Sequence, residues 1–106
     1  MNIVILLLAL SRPYFPVDIC QLDSTNHTHV QVTGKVTKIH TEADGDIHIR
    51  VVNQGCFVIL EIIPSLPMIS PKQGDMIIAR GILRYDKQHK WYELHPVESI
   101  KESFKK

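Results

Sequence analysis

The sequence predicts an all-β domain: a five-stranded barrel, closed or partly open, over residues 29–100. Three observations predict it. Five segments alternate apolar and polar residues or run β-branched. Gly-, Asn- and Asp-containing turns separate most of them. After residue 28 no stretch keeps a helical apolar period long enough for a stable helix. Five short strands cannot bury an apolar face as an open sheet, whereas closure removes the edges and makes one core.

The first strand is His29 to His40, with Val30, Val32, Gly34 and Val36 on one face. Gly34 in mid-strand predicts a bend or bulge, as a small barrel needs. Ala43-Asp44-Gly45-Asp46 supplies a hairpin turn. In the second strand, Asp46 to Val52, Ile47, Ile49 and Val51 point one way and Asp46, His48 and Arg50 the other. Asn53-Gln54-Gly55 turns into a third strand, Cys56 to Ile63, apolar on both faces except at Glu61. Pro64 ends it. Pro67 and Pro71 forbid a long helix between residues 65 and 73, so an irregular connector is expected there. Gly74-Asp75 opens the fourth strand, Met76 to Tyr85. A polar loop, Asp86 to Lys90, leads to the fifth, Trp91 to Ile100, where Pro96 implies an edge or bulge. Residues 101–106 are a charged tail expected to fray.

Residues 1–28 read as an apolar start followed by a linker. Ile3 to Leu10 is an unbroken apolar run, far too short to cross a bilayer as a helix. It has the length of an export-signal core but lacks a basic start and an A-x-A site. It reads equally as a buried strand or short helix packed on the barrel, so cytoplasmic and exported locations both stay open. Residues 11–28 hold Pro13 and Pro16 and little periodicity. Cys20 and Cys56 lie outside any C-x-x-C pair, which argues against a thiolate zinc site. They read as reduced residues, or as a disulfide in an oxidising compartment.

The order of elements resembles the OB-fold: a long bent first strand, a hairpin, a connector after the third strand, then a final hairpin. The chain also resembles a little-characterised group of small OB-like proteins with DGDxH and ELHPV motifs. The matching segments are Asp44-Gly45-Asp46-Ile47-His48 and Glu93-Leu94-His95-Pro96-Val97, with Glu61-Ile62-Ile63-Pro64 between them. More broadly, Val32-Thr33-Gly34-Lys35-Val36 and the segment Gly74 to Gly81 are similar to nucleic-acid-binding OB domains of the anticodon-binding kind. These resemblances imply a fold and a class of binding modules, not a ligand.

Two surfaces follow. OB barrels bind single-stranded nucleic acid along their second and third strands, framed by loops. Arg50, Arg84, Tyr85, Lys87, Lys90, Trp91 and Tyr92 interleave cations for phosphates with rings for bases, and Lys35 and Lys38 extend the track. The alternative is that the rings cap the barrel and the cations solubilise it. The overall balance, +1 from 12 basic and 11 acidic residues, excludes a strongly basic nucleic-acid coat but not a local patch. Asp44, Asp46 and Asp86 near this surface would repel phosphate.

The second surface is a candidate divalent-metal site. Asp46 and His48 share a face, as do Glu93 and His95. If the register agrees, His48, Glu61 and His95 converge. An open coordination position would then permit hydrolysis by metal-bound water. The same groups also suit a hydrogen-bonded network. No nucleophile elbow, P-loop or G-x-G-x-x-G occurs. The favoured expectation is therefore non-catalytic binding of single-stranded nucleic acid without a cofactor. The alternatives are a metal-binding or metal-dependent protein and an exported interaction domain.

Overall fold

The structure, a computed structural model, describes residues 13–63, 68 and 70–103. Its strands are β1 (Phe15–Pro16), β2 (His29–Thr41), β3 (Ile47–Asn53), β4 (Cys56–Ile62), β5 (Met76–Asp86) and β6 (Trp91–Glu102). A short 3-10 segment, Ile19–Ser24, lies between β1 and β2. Hydrogen bonding runs β1-β2-β3-β4-β6-β5, and β5 pairs back onto β2. The five long strands thus close into an OB-type barrel, with β1 as an added strand outside it.

Closure depends on β2 serving two neighbours. Its first half pairs antiparallel with β5, from His29↔Ile82 to Lys35↔Met76. Its second half pairs antiparallel with β3, from Lys35↔Val52 to Thr41↔Ile47. Between them the register shifts between Val36 and Lys38, two residues beyond the Gly34 position at which a bend or bulge is expected. A Cβ at Gly34 would stand 2.7 Å from the Val52 carbonyl oxygen, so only glycine allows the crossing. The other closure is a short parallel contact, Ile59↔Glu93 and Leu60↔Leu94.

The turns follow their local chemistry. Gln54 and Gly55, with φ of 54° and 82°, form a two-residue hairpin closed by the pair Asn53↔Cys56. Gly45, φ 95°, turns β2 into β3, and the Asp44 carboxylate accepts from the Asp46 backbone N–H at 3.0 Å. Pro96 sits at a bulge, not an edge. β6 lies between β4 and β5, and the β5–β6 register shifts on both sides of Gly81, which packs closely on the Pro96 carbonyl.

Inward residues alternate as the period-two pattern requires. Val30, Val32 and Val36, Ile49 and Val51, Val58 and Leu60, Ile77 and Ala79, and Leu94 and Val97 make the core. Each fully buried Val, Leu or Ile contributes about 1.5–3 kcal/mol.

The N-terminal region departs from the linker expected over residues 11–28. Phe15 and Pro16 pair in parallel with Val30 and Gln31, and the Val17 N–H donates to the Gln31 carbonyl at 2.9 Å. Ile19 and Leu22 enter the core. Their i, i+3 spacing puts them on one side of a 3-10 turn, in a segment too short to register as periodic. Cys20 is bonded to Cys56 at the start of β4, which ties this segment to the barrel. At the other end β6 runs past Ile100. Ile77 pairs with Glu102 and the Ser103 N–H donates to the Met76 carbonyl, so the first residues of the expected tail belong to the sheet. The apolar run from Ile3 to Leu10, Pro64 and Pro67 in the expected connector, and residues 104–106 lie outside the described residues. Among the described residues no helix is long and apolar enough to cross a membrane.

Candidate nucleic-acid interface and an adjoining acidic cleft

Because Ile49, Val51, Val58 and Leu60 point inward, their neighbours in β3 and β4 point outward. The register then lines those outward side chains into rows across the sheet. One row runs Lys38, Arg50, Ile59, Glu93 and Arg84. The next begins His40, His48, Glu61. The step from Leu60↔Leu94 brings His95 beside Glu61. On the far side Val52 pairs with Phe57.

The first site is a groove of about 360 Å³ on this outer face, lined by Lys38, His40, Arg50, Phe57, Ile59 and Trp91, with His48 and Glu42 at one end. The Arg50 guanidinium carbon lies 4.4 Å from the Phe57 ring centroid. Phe57 meets Trp91 edge-on, with centroids 6.1 Å apart. His89 stacks nearly parallel on Trp91 at 4.5 Å. The indole Nε1–H donates to Glu93 Oε2 at 2.9 Å and fixes the ring's orientation. Together these make a cation beside a flat aromatic platform.

Of the residues expected to bind nucleic acid, Arg50 and Trp91 line this groove. Lys87 and Lys90 are exposed on the loop leading into Trp91. Tyr85 and Tyr92 form a cross-strand pair, with centroids 4.9 Å apart, and Tyr92 packs against the core. They are absent from the groove lining because successive residues of a strand face opposite ways. Arg84 is turned to the second site. Sequence reasoning misses Phe57. Its place directly after Gly55-Cys56 gives no sign that it stands next to Trp91, which lies two strands later.

The second site is an acidic cleft of about 410 Å³ at the same end of the sheet. All five expected metal-face residues, Asp46, His48, Glu61, Glu93 and His95, line it. His95 Nε2 lies 2.9 Å from Glu61 Oε1, and His48 Nε2 lies 3.7 Å from the same oxygen. The Glu61 carboxyl is pushed above its ordinary range, first by burial and then by a hydrogen bond with Asp46, against the charges of His95 and His48. Arg84 Nε stands 3.9 Å from Glu93 Oε1, and its Nη1 lies 3.4 Å from His95 Nδ1. Asp86 and His89 join this cleft without having been expected among its donors. They meet at 2.7 Å, which holds Asp86 down at about 2 and raises His89. Their i, i+3 spacing in a turn is the available signal. Imidazoles and carboxylates brought together in this way can share protons or hold a cation.

No protein-family model matches the chain, and no curated protein matches it. Solved structures do. The chain is similar to a chain of the S. pombe Stn1–Ten1 complex, with a TM-score of 0.60 and 15% identity, over 88% of this chain and 79% of that one. It is similar to the telomere capping protein Ten1 from S. pombe, with a TM-score of 0.61 and 14% identity, over 85% of this chain and 81% of that one. At these identities the likeness is one of fold: a small OB barrel spanning most of each chain.

Proposed function

We propose that the chain is a non-catalytic OB-fold binding module whose ligand is single-stranded nucleic acid. The observation that carries this reading is the groove in which Arg50, Phe57 and Trp91 stand side by side on the outer face of β3 and β4. Bases stack on the Phe57 and Trp91 rings, and phosphates meet Arg50 and Lys38. His89 already lies flat on Trp91, and an incoming base takes that face by displacing this exposed imidazole. Lys87 and Lys90 extend the cationic track along the final loop. The fold shared with Ten1, a telomere capping protein, supports choosing this ligand class over others that OB barrels take.

The test is fluorescence anisotropy with labelled oligothymidylate and mixed-sequence single strands, across a salt series, in buffer containing EDTA. The reading expects saturable binding that quenches Trp91 fluorescence and weakens steeply with salt. Absence of binding at low salt overturns it.

The Cys20–Cys56 disulfide favours a second reading, an exported interaction domain, because such bonds persist mainly in oxidising compartments. Alkylation and mass measurement of the chain recovered from its own cells separate the two. Free thiols remove the support for export, and a protected pair strengthens it.

A further inference from the structure

The acidic cleft contains one atom that its own hydrogen bonding leaves unexplained. Glu93 is only 2% exposed, and its Oε1 is buried with no hydrogen-bond partner among the described residues. The other oxygen accepts from Trp91. Arg84 Nε, 3.9 Å from Oε1, is too far to donate a hydrogen bond. A buried carboxylate oxygen left this way is costly unless something cationic completes it.

The groups around it have a metal's requirements. Glu61, Glu93 and His95 each offer a ligand atom, and these atoms all lie within 4.8 Å of one another. An ion bonding these ligands tetrahedrally at about 2.0–2.2 Å sets their atoms about 3.3–3.6 Å apart, so the side chains close by up to about 1.5 Å when it binds. His48 approaches the same Glu61 oxygen from β3, on the opposite side from His95. The donors stand on adjacent strands of a closed barrel, which fixes their spacing. The Trp91 indole holds Glu93 from behind, as outer-shell donors orient metal-binding carboxylates.

We propose that Glu61, Glu93 and His95, with His48 as the neighbouring donor, form a binding site for one divalent transition-metal ion of the zinc or manganese kind. Two carboxylates with one or two imidazoles and no thiolate suit these ions. All-oxygen cages suit calcium and magnesium, and sulfur suits copper(I). Arg84, half-exposed, serves as the resident cation at the rim and swings into solvent when the ion enters. Its removal therefore leaves metal binding intact or tightens it. The site is independent of the nucleic-acid reading: it needs no oligonucleotide, and the oligonucleotide test is run in EDTA.

The test uses the full chain, stripped with EDTA and exchanged into chelator-free buffer. Zinc chloride and manganese chloride are titrated separately by calorimetry, with thermal unfolding followed in parallel. The expected result is saturation at one ion per chain for at least one metal, with a rise in melting temperature. His95→Gln, at a half-exposed position, and Glu93→Gln each weaken binding at least about tenfold. His27→Gln, a histidine stacked on Phe15 and outside both the groove and the cleft, leaves it unchanged. In EDTA, Glu93→Gln unfolds no earlier than the parent, because the buried oxygen it alters has no hydrogen bond to lose; a purely structural Glu93 predicts a lower midpoint. The proposal fails if neither metal binds. It fails equally if the His95→Gln/Glu93→Gln double variant, shown to be folded by circular dichroism, binds as the parent does.

Discussion

One oxygen of Glu61 faces an imidazole on each side: His95 Nε2 at 2.9 Å from β6 and His48 Nε2 at 3.7 Å from β3. The three residues come from three strands and meet because the central strand of the trio pairs antiparallel on one side and parallel on the other. This relationship ends the groove of cations and rings and begins the acidic cleft, and His48 lines both. Nucleic acid laid along the groove would meet rings and Arg50 first, and carboxylates only at its end.

Trp91→Ala is expected to weaken oligonucleotide binding by about 1–3 kcal/mol, the usual worth of one base–aromatic stack. Arg50→Ala instead lowers the salt dependence. The slope of log affinity against log salt falls by about 0.7 for each single-strand phosphate that the protein no longer neutralises. Anisotropy titrations at several salt concentrations measure both effects. An Arg50→Ala slope identical to the parent's would remove Arg50 from the phosphate track.

The Cys20–Cys56 bond closes a loop between residues 36 positions apart and fastens the 3-10 segment that carries Ile19 and Leu22 into the core. Chain-entropy reasoning puts its contribution at about 3–4 kcal/mol. Urea unfolding of the oxidised chain, compared with a Cys20→Ser/Cys56→Ser variant, should show a lower midpoint for the variant by that order. Equal midpoints would mean that the barrel does not depend on this tether.

Gly81→Ala should destabilise the barrel by about 1–3 kcal/mol, the typical cost of overpacking. A Cβ there would stand 2.6 Å from the Pro96 carbonyl oxygen and 2.9 Å from Val97 Cα, both backbone atoms that cannot turn aside. Chemical denaturation measures it. A neutral result would show that β6 shifts freely at its bulge.

Asp86 and His89 carry opposite pH dependences. Asp86 is held at about 2, against an ordinary 3.8, by its bond to His89, so its contribution is present above 3.8 and is lost as pH falls towards 2. His89 is raised above 6.5 chiefly by Asp86, so its contribution is present below 6.5 and is lost as pH rises through the raised value. The pairing is therefore strongest between these limits and contributes little, since both groups meet solvent. NMR titration in EDTA should find His89 above its ordinary value, and Asp86→Asn should return it towards 6.5. An unchanged His89 in that variant would contradict the pairing.

Much of the barrel is legible residue by residue. Alternation in His29–Thr41 and Ile47–Asn53 reflects steric preferences that act between neighbours. The turns at Gly45 and Gly55 require positive φ, which glycine declares wherever it stands. The two-residue spacing of Asp46 and His48, and of Glu93 and His95, puts each pair on one face without any knowledge of what they touch. Less legible is the N-terminal segment. Ile19 and Leu22 are two apolar residues among polar ones, and their burial depends on a barrel surface that a local window does not contain.

Sequence alone determined the five long strands of the barrel to within a few residues, the turns between them and which side chains share a face, because those properties depend on bonds and clashes a few residues apart. Tertiary structure decided what faces share across strands: Phe57 beside Trp91, Glu61 between His48 and His95, Glu93 buried under Arg84, Cys20 against Cys56. Those meetings depend on register around a closed barrel, where a slip of one residue turns every side chain of a strand to the other face. Register is set only when all five strands close on a common core, so no single segment carries it.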